Sequence, residues 1–475
     1  VSETAYETVI GLEVHCELST ATKLFCSCAN QFGSEPNTNI CPVCLGLPGS
    51  LPVLNRRAVE LAMRIGEALS CRIEPSIFHR KNYFYPDMPK DYQISQYDAP
   101  INVDGHLELP DGSRVGIVRA HIEEDTGKTT HVGGGGGRIH GASYALVDYN
   151  RAGVPLVEIV SAPDISSAAQ ARAYVTELRA IVVAAGASDG RMEEGSLRVD
   201  ANVSVRPVGS TEYGTRCEVK NLNSLRSLVR AIEHEAERQI ALVSAGEAVA
   251  QETRHFDEST GLTHSLRSKE EAYDYRYFPE PDLVPVVPDE ELLAAARAGL
   301  GVMPAERRRR LAELVGSDGT VEQIQTVIEL DLDGLVLAAV AAGADARLTL
   351  ARTANEAAAR AEGARSLDPG RFAALLEMEA AGKLSATQAK TVLAEMIDSG
   401  GEPAEIAARL GFGAMASSEI DALVDALIAA HPAEWERYRA GDPKVAQFLM
   451  GQVMRETKGR ANPKVVTAAL EARKG

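Results

Sequence analysis

Leu197-Arg198-Val199-Asp200-Ala201-Asn202-Val203-Ser204-Val205 alternates apolar and polar side chains without a break. Thr8-Val9-Ile10-Gly11-Leu12-Glu13-Val14-His15 does nearly the same. A period of two is that of a β-strand with one buried face. Similar runs, separated by Gly, Pro, Asn and Asp, continue to about residue 290. Helical patches interrupt them at Ser167 to Gly186 and Ser224 to Ser244. The first part therefore reads as β-rich α+β. The proline-studded stretch Pro279 to Pro288 closes it, because proline fixes φ and removes a donor.

Beyond that stretch the chain is alanine-rich and helical. Ser385-Ala386-Thr387-Gln388 is a capping box, followed by one apolar stripe at Ala389, Val392, Leu393, Met396 and Ile397. Ser418-Glu419-Ile420-Asp421 precedes a second stripe ending at Ile428. The Arg307–Arg310 run reads as the solvated face of a helix. The expected division is residues 1–290, a helical domain over 291–400 and a small helical tail over 401–475.

With 475 residues, 45% hydrophobic and 24% charged, the chain has the make-up of a soluble multidomain protein. The start carries no signal-peptide pattern, and the longest apolar run, Asp333 to Asp345, is short of the roughly 20 residues that a membrane span needs. A net charge of −18 argues against indiscriminate coating of nucleic acid. From Tyr438 to Gly475, however, eight Lys/Arg face three Asp/Glu, an excess of +5 that suits an anionic partner or, equally, a solvated helical end.

Of seven cysteines, Cys26, Cys28, Cys41 and Cys44 form a C-x-C, twelve-residue, C-x-x-C pattern. Four sulfurs on two tight turns can close tetrahedrally on a structural zinc, which also points to a reducing, cytoplasmic compartment. Cys16, Cys71 and Cys217 stand alone and read as packed small hydrophobes.

Glu13 and His15 lie two apart on a strand and so share a face. His121-Ile122-Glu123-Glu124-Asp125 is a second dense acidic set, whose carboxylates repel one another unless a cation sits among them. Oxygen ligands with one imidazole suit Mg²⁺ or Mn²⁺, while a solvated acidic turn is the commoner origin of such a run. Thr126-Gly127-Lys128-Thr129 mimics the end of a P-loop, but Ile122 occupies the place of the required glycine, so it is rejected. The Gly133–Gly137 run reads as a surface loop. Arg198, Asp200 and Asn202 alternate onto one strand face, and Glu218 and Lys220 onto another, together making a charged floor for a polar ligand. Arg80 to Gln96 sets Tyr83, Phe84, Tyr85 and Tyr92 between Lys81 and Lys90, in a chain that is only 5% aromatic.

Taken together, Val9 to His15, Arg80 to Gln96, His121 to Lys128, Glu193 to Asn202, Lys220 to Ser224 and Asp274 to Asp282 resemble the B subunit of bacterial tRNA-dependent amidotransferases. The resemblance spans essentially the whole chain. It implies a cradle-like catalytic domain that uses ATP and Mg²⁺ to phosphorylate the side-chain carboxylate of Glu or Asp mischarged on tRNA. Ammonia from an amidase A subunit then displaces the phosphate, and a small C subunit completes a heterotrimer. It further implies Mg²⁺ at Glu13, His15, Glu123 and Glu124, with Lys81 and Lys90 offsetting phosphate charge. Arg198, Asp200, Asn202, Glu218 and Lys220 would line the pocket, Arg198 among the nucleotide-binding groups, and the basic tail would contact tRNA. A zinc-ribbon RNA-binding module without catalysis accounts for the cysteines and the tail but not for the polar strand motifs.

Overall fold

The computed structural model describes residues 5–133, 141–268, 275–316, 320–412, 417–457, 461 and 463–474. Glycines 134–137 of the expected surface loop and residues 458–460 of the basic tail lie outside that set. The chain divides into two compact units, Val1–Ala305 and Glu306–Gly475.

Unit 1 contains, in order, β1 (Tyr6–Glu17), α1 (Arg56–Ala68), β2 (Arg72–Ile73), β3 (His79–Asn82), β4 (Tyr92–Ser95), β5 (Asn102–Glu108), β6 (Arg114–Glu124), β7 (Lys128–Val132), β8 (Tyr144–Asp148), β9 (Pro155–Ser161), α2 (Ala168–Ala184), β10 (Leu197–Pro207), β11 (Cys217–Leu222), α3 (Leu225–Ser244), β12 (Glu252–Asp257), β13 (Leu262–Ser268), β14 (Phe278–Pro279) and α4 (Glu290–Ala298). Twelve strands form one sheet along the path β13-β12-β11-β10-β1-β9-β6-β4-β3-β14, with β5 and β2 branching from β6. Its pairs are antiparallel except β11 with β12, so the sheet is mixed. β7 and β8 pair separately, and Lys128 begins a strand rather than the helix that a P-loop would require.

Alternation decides which face is which. Leu12, Val14 and Cys16 of β1, Val199, Ala201 and Val203 of β10, and Val157 and Ile159 of β9 all enter one core with apolar side chains of α1, α2 and α3. Each such side chain contributes about 1.5–3 kcal/mol when removed from water. The helices start where the sequence predicts. Ser167 and Ser224 are N-caps, accepting from the backbone N–H of Gln170 and Ser227. The residues between the core positions are thereby forced onto the opposite face.

Unit 2 is all-helical, so the α+β class with a helical C-terminal region holds. Ser385 and Gln388 form the reciprocal capping box, and the stripe behind them is buried through Met396. The second helix begins at Ser417, which places Ser418 inside it and not at the cap; terminal turns commonly extend by a residue. Ile420, Val424 and Leu427 are buried as the stripe requires. Arg307 departs from its expected solvated role. Its Nε lies 2.8 Å from Asp333, a buried acid that begins a later helix, whereas Arg309 and Arg310 do pair on the surface with Glu306. Among the described residues no helix is long and apolar enough to cross a membrane.

Candidate active site

Four neighbouring strands place four ionisable side chains opposite one another. His121 of β6 lies across from Glu158 of β9, Glu158 from His15 of β1, and His15 from Arg198 of β10. One step along, Glu13 faces Asp200, and Asn202 faces Glu218 of β11. Directly opposed residues share a face. The sheet thus presents a continuous charged floor on the side away from its core.

At its centre His15, Glu123 and Glu158 bring one ligand atom each to within 4.8 Å of one another. His15 Nε2 lies 3.7 Å from Glu123, and His121 Nε2 lies 3.4 Å from Glu158. Burial, then repulsion from Glu158, pushes Glu123 up to about 7. His121 is wholly enclosed, and burial pushes it down to about 4, so the imidazole is neutral at pH 7. Burial also raises Glu158, but the cations of Arg119 and Lys81 act against it, and the net direction is below the ordinary carboxylate value. Crowded, dehydrated acids with an imidazole among them form a donor set suited to a divalent cation.

Around this centre the charges are partly matched. Lys220 sits 2.8 Å from Asp200 and 2.9 Å from Glu218. A bulge between β10 and β11 aims it there, with Asn221 at φ +70°, a left-handed conformation that asparagine tolerates. Asn202 Nδ2 donates to Glu13 at 2.9 Å. Burial, followed by Glu158 and Glu218, raises Glu13. Asp125 takes ion pairs from both Arg151 and Arg198 at 3.0 Å. Beside it, burial and the Asp125 charge push Glu17 up to about 7. Among the described residues, Glu13, Glu17, Glu123 and Glu158 have no Lys or Arg within 4 Å.

The aromatic-basic stretch forms the hairpin of β3 and β4 at the edge of this floor. Lys81 stands with Nζ 4.7 Å over the Tyr275 ring, and its charge acts on His121, Glu123 and Glu158 alike. Arg80 is fixed bidentately by buried Glu280, with Tyr92 beneath it. Tyr83 stacks on Tyr85, while Phe84 is exposed.

The floor brings together Glu13, His15, Lys81, Glu123, Arg198, Asp200, Asn202, Glu218 and Lys220. It does not bring Lys90 and Glu124 with them. Adjacent strand residues point to opposite faces, so Glu124 turns away from Glu123. Its carboxylate is buried against the Lys90 ammonium and also accepts from Ile94 N–H at 2.9 Å. Glu124 therefore leaves the expected magnesium set, and Lys90 is neutralised in place. Glu158 and His121 belong in the centre but were not among the expected ligands. Glu158 carries a sequence signal, a lone acid inside the apolar run Val154 to Val160. The signal is weak without the register that sets it opposite His15.

Cys26, Cys28, Cys41 and Cys44 converge with their sulfurs within 4.8 Å. Cys41 N–H donates to Cys44 Sγ at 3.1 Å, and the proton held by Cys26 pulls the Cys44 thiol down to about 5. This all-sulfur donor set fits a closed zinc site.

Residues 8–294 match the GatB/GatE catalytic domain, and residues 335–473 match the GatB domain. The chain is 52% identical to the B subunit of the aspartyl/glutamyl-tRNA(Asn/Gln) amidotransferase of Thermobifida fusca, covering 96% of this chain and 92% of that one. It is 50% identical to the corresponding B chain of Salinispora arenicola, over 99% and 97%, and 47% identical to that of Thermosynechococcus vestitus, over 98% and 96%. A charged floor inside the region matched to the catalytic domain, and likeness along the full chain, place it plainly: the chain belongs to the family of amidotransferase B subunits.

Proposed function

We propose that this chain activates and amidates the side chain of Glu or Asp mischarged on tRNA(Gln) or tRNA(Asn). A carboxylate is a poor electrophile. Its oxygen first attacks the γ-phosphorus of ATP, ADP leaves, and an acyl phosphate forms. Ammonia then adds to the carbonyl carbon, the C–O bond to phosphate breaks, and inorganic phosphate leaves as the amide forms.

The observation that carries this reading is the His15, Glu123 and Glu158 cluster on the polar face of the sheet. Mg²⁺ held there would screen the phosphate oxygens. Lys81, held over Tyr275 beside the cluster, offsets charge on the transferring phosphoryl group. Lys220, steadied by Asp200 and Glu218, presents a fixed cation to the substrate end, and Arg198, paired with Asp125, stands opposite His15. Glu13, raised by burial and neighbouring acids, is suited to take the proton that ammonia loses on C–N bond formation.

Zinc at the four cysteines is structural, since all its positions would be filled by protein. The ammonia comes from an amidase subunit, with a small third subunit completing a cytoplasmic complex. Residues 1–290 act as the catalytic cradle, 291–400 as a helical domain and 401–475 as a tRNA-contacting tail. Part of the tail's positive charge is already matched, since Arg439 pairs with Glu436 and Arg473 with Asp421 and Asp425.

The test is Lys81→Ala in the assembled complex with mischarged tRNA. Amidation should be lost while glutamine hydrolysis by the partner persists. Amidation at the normal rate would remove Lys81 from the mechanism and misplace the pocket.

A further inference from the structure

A cavity of about 750 Å³ in unit 1 lies where α2 and α3 flank the segments entering β10 and leaving β11. Arg172 and Arg179 of α2 and Arg226 and Arg230 of α3 line it, with Glu193 as the one carboxylate in the lining. Elsewhere in this acidic unit arginines sit against carboxylates, as Arg57, Arg80, Arg151, Arg206 and Arg238 do. The cavity is different. Arg179 donates to Gly190 O and Arg230 to Glu258 O, backbone contacts that orient without neutralising. Arg172 and Arg226 are exposed and have neither hydrogen bond nor ion pair among the described residues. Four like charges facing one space repel one another, so their clustering has a use only where an anion enters.

The spacing says what kind of anion. Arg172 and Arg179 are seven residues apart on a helix, about 10 Å along its axis. Charges spread over that span suit several phosphates in a row better than one. Met192, Leu225 and Val229 supply the apolar lining, and no aromatic ring is present there to stack on a base. This favours a nucleic-acid backbone over a free nucleotide. The location says which part of it. Asn223 follows Lys220 by three residues, at most about 10 Å of chain. The cavity therefore opens at the end of β11, the strand that carries Lys220, on the α2 and α3 side of the sheet.

Resting on the proposed function, we propose that this arginine cavity holds backbone phosphates of the substrate tRNA near its aminoacyl end. It is a positioning site, distinct from the metal cluster and from the basic tail. Phosphate contacts of this kind set the register of the RNA and carry no sequence information of their own.

The experiment uses the assembled amidotransferase and uncharged tRNA transcript, with binding measured across a salt series. Arg172→Glu/Arg226→Glu should weaken binding about tenfold or more at low salt. Arg172→Ala/Arg226→Ala should make the dependence of log K on log[salt] shallower by about 1.5, for two lost phosphate contacts. Arg172→Lys/Arg226→Lys should restore most of the affinity, and KM for ATP at saturating tRNA should not move. Both side chains are exposed, so the alanine pair reports even if charge reversal disturbs the fold. Unchanged tRNA affinity and salt slope in the alanine pair would overturn the proposal. So would a raised KM for ATP with tRNA binding intact, which would make the cavity a nucleotide site. If the unmodified complex binds no tRNA at all, the functional reading falls, and this inference with it.

Discussion

Unit 1 buries two sets of charges, and they are handled in opposite ways. Glu235 on α3 is fully enclosed, yet its carboxyl is held below the ordinary range. Burial alone would raise it, but Arg238 at 2.6 Å, Gln239 at 2.8 Å, Arg254 at 3.3 Å and Thr263 at 3.1 Å surround it. Glu123 on β6 is nearly as buried and is pushed up to about 7 by that burial and then by repulsion from Glu158, which the charges of His15 and Lys81 do not offset. The first cluster is complete within the chain. The second has an excess of acid that the chain does not cancel, which folding alone would select against. The contrast marks the second as the place where something else binds.

Replacing Glu123 should separate the two clusters most sharply. Glu123→Gln removes a proposed metal ligand and should cut amidation by about 10³-fold. The metal-free protein should be no less stable, since an unmatched buried charge has gone. Loss of activity accompanied by a lowered Tm would make Glu123 structural and end the contrast. Glu235→Ala should do the reverse. Leaving Arg238 and Arg254 without their acid should destabilise unit 1 by about 3–5 kcal/mol in chemical denaturation. Below its denaturation midpoint the variant should keep normal KM values.

The two clusters are also unequally legible in the sequence. The alternation at residues 8–15 and 197–205 announces the sheet and its two faces, because a period of two needs no tertiary knowledge. The caps at Ser167, Ser224 and Ser385 are equally local. What alternation cannot supply is which strands are neighbours. Glu158 belongs to the site only through the pairing of β9 with both β1 and β6, a separation of more than a hundred residues in one case. Glu124 shows the converse. Adjacency to Glu123 in the chain suggests a shared site, and the pleat sends it to the other face against Lys90. The arginine cavity is invisible in the sequence for the same reason, since its residues come from two helices and two strand ends.

The pH dependence of stability tests the unmatched acid directly. A carboxyl raised in the folded state is protonated there while it is ionised in the unfolded chain. Its contribution is therefore present below pH 4.5 and is lost as pH rises through about 7. In metal-free protein Glu123 should account for about 3 kcal/mol of this loss, and Glu123→Gln should remove that share while leaving the one due to Glu17, which is also pushed up to about 7. Mg²⁺ at a hundred times its Kd should return about 2.7 kcal/mol at pH 8. A flat metal-free profile, or no Mg²⁺ response, would mean that the floor is neutralised by groups other than a cation.

The smallest effects come from removing one hydrogen bond in each cluster. Thr263→Val keeps the shape of a β-branched side chain but takes the hydroxyl from Glu235 and from Arg254 Nε, 2.9 Å away. Arg254 retains Thr263 O at 2.8 Å, so the cost should be about 1.5 kcal/mol with catalysis unchanged. Asn202→Ala takes the amide from Glu13, a carboxyl that burial already disfavours as an anion. There the freed acid can take up a proton, and stability should change by less than about 0.5 kcal/mol. Amidation should nevertheless fall, and its pH optimum should move upward as Glu13 holds its proton to higher pH. Equal stability losses in the two variants, with no shift in the optimum, would mean that both clusters serve the fold.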